Sequence, residues 1–154
     1  MNIKELNSTS EIDKNIKLKG VYLQFEKLLS EMRKRDLPDS LVLSVNHDID
    51  ELNSISGSEA ELRKTLKRKQ TTIIKSLEKD LKLVPKNYYR NIWLAVGMAA
   101  IGIPLGVAFG ASVGNMAFLG IGLPIGLAIG IAIGTGMDKK AFEEGRQLDL
   151  EIKH

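Results

Sequence analysis

Between Lys17 and Arg35 the apolar residues Leu18, Val21, Tyr22, Phe25, Leu28, Leu29 and Met32 recur at steps of three and four. That period places them on one face and predicts an amphipathic helix. "RDLPDS" breaks the pattern, because proline disfavours helix at the residue before it. A second helix is expected from about Pro38, striped by Leu41, Val42, Val45, Ile49 and Leu52. "SISGSEAE" ends it and starts a third, with Ser58 and Glu61 at capping-box spacing. Leu62, Leu66, Ile73, Leu77, Leu81 and Val84 share a side of that helix, which Pro85 terminates. Residues 1–14 are polar and aperiodic and read as a loose tail. After Asp138 a short helix is expected around "DKKAFEEG". "LDLEIKH" then alternates Leu148, Leu150 and Ile152 as a strand would, but the pattern offers it no partner.

Between the third helix and that tail the periodicity disappears. From Asn91 to Met137, 47 residues, there is no Asp, Glu, Lys, Arg or His. A bilayer crossing needs about 20 apolar residues, and at 1.5 Å per residue one helix of this length would reach about 70 Å, so the run must fold back. Its most polar central point is Gly114-Asn115. A turn there leaves a first span from about Ile92 to Val113 and a second from about Met116 to Gly136. Open strand edges cannot be left in lipid, so the hairpin is helical.

Eleven of the fourteen glycines lie from Gly97 to Gly136. "GIPLGVAFGASVG" and "GLPIGLAIGIAIG" repeat glycine every fourth residue with proline third, a pattern that weakens helices by about 1 kcal/mol per glycine and 3 per proline. In lipid, small residues at i, i+4 permit the close backbone approach that holds helices together. Gly102, Gly106, Gly110 and Gly114 form one packing row, and Gly122, Gly126, Gly130 and Gly134 the other, with kinks expected at Pro104 and Pro124. Folding about position 114 sets Gly102 against Gly126 and Gly106 against Gly122. Gly130 and Gly134 would then face Met98 and Leu94, leaving them to pack against another protomer.

Charge gives the hairpin a direction. Residues 1–62 carry eight basic and twelve acidic groups, whereas residues 63–90 carry ten basic groups against Glu78 and Asp80. Basic residues flank both spans and none lies in the turn, so the positive-inside rule puts both termini in the cytoplasm, with the chain in the inner cell membrane. Tyr88, Tyr89 and Trp93 are expected as interfacial anchors on that side. Lys67, Arg68, Lys69, Lys75, Lys79, Lys82, Lys86 and Arg90 are candidates for contact with anionic headgroups. No aromatic residue interleaves the basic stretch before Tyr88, which argues against nucleic acid.

The glycine rows over residues 97–136 resemble those of bacterial glycine-zipper membrane proteins. The resemblance implies membrane insertion and helix packing, and it implies no activity. The chain therefore reads as all-α: a polar tail (1–14), a cytoplasmic amphipathic helical domain (15–84) forming a three-helix bundle or coiled coil, a basic and aromatic linker (85–91), a transmembrane glycine-zipper hairpin (92–136) and a cytoplasmic tail (137–154). Its helical domain is small enough to be marginal alone, which favours self-association. "NHDIDEL" places His47 and Glu51 four apart, but a metal would need further ligands and the only other histidine is His154, so no metal or cofactor is expected. Nothing has nucleophile–base–orienter logic, so no enzyme is expected. The expected role is an oligomerising membrane anchor that presents its helices to a cytoplasmic protein partner. A glycine-lined oligomeric pore or a membrane-inserting effector is the alternative.

Overall fold

The computed structural model describes residues 2–7, 12, 15–55, 57–115 and 119–152. The expected start of the second span at Met116 and the second histidine, His154, lie outside the described residues. The chain divides into two compact units, residues 1–83 with 148–154, and residues 84–147. The elements in order are α1 (Ile16–Arg33), α2 (Asp39–Asn53), α3 (Glu59–Leu81), β1 (Val84–Lys86), α4 (Tyr88–Val96), a π-helical turn (Gly97–Gly102), α5 (Ile103–Val113), α6 (Leu119–Glu143) and β2 (Gln147–Glu151).

In the first unit the amphipathic stripes become the core. Leu18, Phe25, Leu28, Met32, Ile49 and Leu77 are fully buried, with Val45, Leu66 and Leu29 beside them. Caps set where the helices begin. Asn15 accepts from the Lys17 and Leu18 amides at the start of α1, and Ser58 accepts from Glu61 at the start of α3. α3 ends at Leu81 rather than Val84, because Lys82 turns into the left-handed region (φ 57°).

Three short helices alone would leave this core thin, and the structure closes it with the two ends of the chain. The segment expected as a loose tail instead buries Ile3, Leu6 and Ile12. At the other end Leu148 and Leu150 are buried in the same unit. The expected strand at 148–152 does have a partner: β1 and β2 form a two-stranded sheet. β1 has only three residues and contains Pro85, too short to leave an alternation in the sequence. Among the described residues the fold is thus helical with one small ladder.

Glu31 fastens β2 to α1. The residue is 6% exposed, and its carboxylate accepts the Asp149 amide at 3.0 Å and pairs with Lys34 at 2.5 Å. The hydrogen bond from Lys34, helped by that amide, holds Glu31 below its ordinary value of 4.5 despite burial. A depressed carboxylate stabilises the fold above its unfolded pKa, and that stability is lost as pH falls through the folded value. Protection of the Leu148 and Asp149 amides, measured relative to the intrinsic exchange rate at each pH, should therefore fall on acidification below pH 4.5. Glu31→Gln should raise exchange at neutral pH, costing about 1–3 kcal/mol, and flatten the acid limb.

In the second unit α4, the π turn and α5 run as one rod, Tyr88–Val113, against α6. Both this rod and Gly120–Glu143 are long and apolar enough to cross a membrane. The short helix expected around "DKKAFEEG" is the continuation of α6, which ends only where Gly145 (φ 68°) caps it.

Candidate functional site: the glycine seam of the hairpin

The turn falls where expected. Gly114 adopts φ 68°, and the Asn115 amide returns to the Gly110 carbonyl at 3.0 Å, a Schellman cap. Gly114 itself is exposed and has nothing within 4 Å of a Cβ position, so it caps α5 instead of continuing the packing row. Glycine is needed here for its backbone, not for contact.

The place of Gly114 in the row is taken at the opposite end by Gly97. Gly97 and Gly102 are five apart, a spacing that would rotate them off one face of an α-helix. The turn between them is π-helical, and the Ile103 amide reaches back to the Met98 carbonyl. The extra residue brings Gly97 into line with Gly102, Gly106 and Gly110. Pro104 supplies the reason: its ring cannot sit against the carbonyl four residues before it, and a widened turn relieves that clash. Pro124 lies within α6, which is helical on both sides of it.

The two rods then interleave. Gly122 sits between Gly106 and Gly102, Gly126 between Gly102 and Gly97, Gly130 against Trp93 and Leu94, and Gly134 against Tyr89 and Arg90. A methyl on Gly122 would lie 2.7 Å from the Gly106 Cα, on Gly126 2.6 Å from the Gly102 Cα, and on Gly134 2.5 Å from the Arg90 Cα. No such contact is tolerated, so each position excludes a side chain. Carbonyl oxygens of Gly126 and Gly97, of Gly122 and Gly102, and of Trp93 and Tyr89 are among the first atoms such methyls would meet. This is the arrangement of Cα–H···O contacts between close helices, worth about 0.5–1 kcal/mol each.

Two expectations are corrected here. Gly130 does not face Met98, nor Gly134 Leu94: Gly130 meets Trp93 and Leu94 and Gly134 meets Tyr89 and Arg90, because the π turn and the half-step stagger move their partners toward the start of α4. Nor are they left over for another protomer. Both are buried against α4 backbone within one chain.

Large side chains point the other way. Ile92, Val96, Ile103, Val107, Phe109 and Val113 on one rod, and Ile121, Leu123, Ile125, Ile129 and Ile133 on the other, are all exposed. Only 17% and 22% of the most apolar window of each rod is buried.

At the base of the hairpin Asp138, 7% exposed, does what no residue near α4 does. Asn87 precedes α4 with φ 59° and makes no side-chain cap. Asp138 reaches across from α6 and accepts the Tyr89 and Arg90 amides, each at 3.0 Å. Both are otherwise orphan donors at the positive end of a helix dipole. The sequence reading missed this residue. Its signal was there, since the fold-back about Gly114 already sets position 138 against 90. Tyr88 and Tyr89 stack edge to face beside it at 5.2 Å, and both are half-buried, as is Trp93.

The expected lipid-facing cations separate into two groups. Lys67, Arg68, Lys75 and Lys79 are exposed and, at about 100° per residue, share one α3 face within about 120°. Leu66, Ile73 and Leu77 occupy the opposite face. Lys82, Lys86 and Arg90 are exposed too. Lys69 leaves the set. It pairs with Asp48 at 2.6 Å and Glu51 at 2.5 Å, and those carboxylates push its pKa up. The same ion pairs occupy the "NHDIDEL" group: ligand atoms of His47, Asp48 and Glu51 lie within 4.8 Å of one another, but the Lys69 ammonium already donates to one oxygen of each acid.

Comparison with protein-family models, curated proteins and solved structures finds no match to this chain.

The seam makes predictions of opposite sign for one substitution. Gly120→Ala and Gly136→Ala, where nothing lies within 4 Å, should stabilise the hairpin by up to about 1 kcal/mol through helix propensity. Gly122→Ala, Gly126→Ala and Gly130→Ala should destabilise it by about 1–3 kcal/mol through overpacking. Thermal unfolding of the detergent-solubilised chain ranks the five. Asp138→Ala should expose two helix-end amides and cost about 1–3 kcal/mol, read as faster amide exchange confined to Tyr89 and Arg90.

Proposed function

We propose that the chain is a two-span membrane anchor, with its hairpin in the bilayer and its helical unit held at the cytoplasmic surface for a protein partner. The observation that carries the reading is the inverted burial of the hairpin. Glycine lies inside and the large apolar side chains lie outside, along two rods of about 36–39 Å each by helical rise. Water would not leave so much contiguous apolar surface exposed, whereas lipid favours it. The basic residues at both ends and the uncharged turn favour cytoplasmic termini. The four-cation face of α3 suits anionic headgroups, each cation contributing about 1 kcal/mol near such a surface.

An anchor is favoured over a glycine-lined pore because the two rows face each other. A pore would need those faces for its lumen or for neighbouring protomers. Self-association, if it accompanies anchoring, would use the outer apolar faces.

The sequence has no cysteine, so single cysteines report topology directly. Asn115→Cys should react with an impermeant thiol reagent from outside spheroplasts, and Ser54→Cys only after lysis. The reverse pattern, or labelling of both in a soluble fraction, overturns the anchor. For the α3 face, a fluorophore on Thr71→Cys should be quenched by headgroup-labelled lipid in nanodiscs containing phosphatidylglycerol. Quenching should fall with salt and with Lys67, Arg68, Lys75 and Lys79 neutralised. Equal quenching in purely zwitterionic discs would exclude a headgroup role.

A further inference from the structure

Residues 2–7 lie along α1 and α2 in an arrangement that packing alone does not require. Ile3 and Leu6 are buried, while Asn2, Lys4, Glu5 and Asn7 are exposed, so water could serve most of this backbone. Helix side chains serve it instead. The Asn46 carboxamide accepts the Lys4 amide at 2.8 Å and donates to the Asn2 carbonyl at 3.0 Å, bracketing Ile3. Seven residues on, Asn53 does the same around Leu6, accepting the Asn7 amide at 2.8 Å and donating to the Glu5 carbonyl at 3.3 Å. Each carboxamide thus imitates one residue of a parallel neighbouring strand. Arg33 donates to the Ile3 carbonyl at 3.3 Å and the Lys4 carbonyl at 2.6 Å. The Tyr22 hydroxyl donates to the Leu6 carbonyl at 2.9 Å. Burial, with Glu26 beside it, pushes that phenol up to about 12, which keeps it a donor.

All five carbonyls from Asn2 to Leu6 therefore accept from groove side chains. The segment's own side chains are engaged at three positions: the two apolar seats, and Lys4, whose ammonium pairs with Asp50 at 2.6 Å. Main-chain clamps combined with a few side-chain seats are how extended peptides are recognised.

We propose that this α1–α2 groove is a docking site for an extended peptide of another protein, bearing an apolar–basic–any–apolar tetrad, and that Ile3-Lys4-Glu5-Leu6 holds it in cis. The clamps do not depend on the identities of Asn2, Glu5 or Asn7, so sequences other than this chain's own fit the groove. The acidic Asp50 fixes the sign of the second position. A tethered occupant competes at an effective concentration of order millimolar, so a free ligand binds well only when the segment is displaced or outmatched. The proposal stands whether or not the hairpin is a membrane anchor.

The probe is a fluorescent peptide of residues 1–7, MNIKELN, with a second version carrying alanine at Asn2, Glu5 and Asn7. Both should bind the detergent-solubilised full chain carrying Ile3→Asp and Leu6→Asp at least tenfold more tightly than the unaltered chain. Adding Asn46→Ala and Asn53→Ala should abolish the gain. If the double aspartate variant is misfolded, the unaltered chain still decides: millimolar peptide should speed deuterium uptake at residues 2–7 and nowhere else. Unchanged uptake, or binding that survives loss of both asparagines, overturns the groove. Binding of the native peptide but not its alanine version, with a stable complex between variant and unaltered chains, would assign the groove to a second copy and overturn the partner proposed here.

Discussion

Along the hairpin, carbonyls of Tyr89, Trp93, Gly97 and Gly102 lie against Gly134, Gly130, Gly126 and Gly122, and most of the second unit is arranged to permit that contact. Each glycine costs about 1 kcal/mol of helix propensity relative to alanine. A Cα–H···O contact returns about 0.5–1 kcal/mol, so the seam is near balance before dispersion between the rods is counted. The contact is short-ranged and demands register along its whole length. The π turn before Pro104 supplies register on one rod, and Asp138 ends the seam by capping the other rod's first turn.

The last crossing of the seam needs glycine on one side only. Gly134 approaches the backbone of Tyr89 and Arg90, residues with large side chains, whereas Gly130 still has Gly97 beside it. A facing glycine is therefore not the condition for close approach. One small residue per crossing suffices where the partner offers a carbonyl between side chains. This is why a count of unmatched glycines overstates the surface available to another protomer.

What was legible in the sequence was local. The stripes of α1 and α2, the Ser58 cap, the Gly114 turn and the length of the apolar run all follow from spacing within one element, and each lies where its spacing puts it. What was not legible joins residues distant in sequence. Asp138 broke an uncharged run and so read as the end of a helix, although α6 continues through it to Glu143. Lys69 looked like one more exposed cation until Asp48 and Glu51 met it from α2. Residues 2–7 have no period because asparagines 46 and 53 on a helix, rather than a neighbouring strand, hold them. A three-residue β1 leaves no trace in an alternation test, so β2 seemed partnerless.

The burial of Leu148 and Leu150 in the unit that holds α1–α3 has a temporal meaning. A ribosome makes the hairpin after α3 and before β2, so the first unit emerges without the residues that complete its core. During that interval Glu31 has no Asp149 amide to accept and the seats of both leucines stand open. The apolar spans are thus synthesised, and available to whatever receives them, while the preceding helices are still unfinished. Order of synthesis places the closing of the first unit last, after both rods of the hairpin have been made.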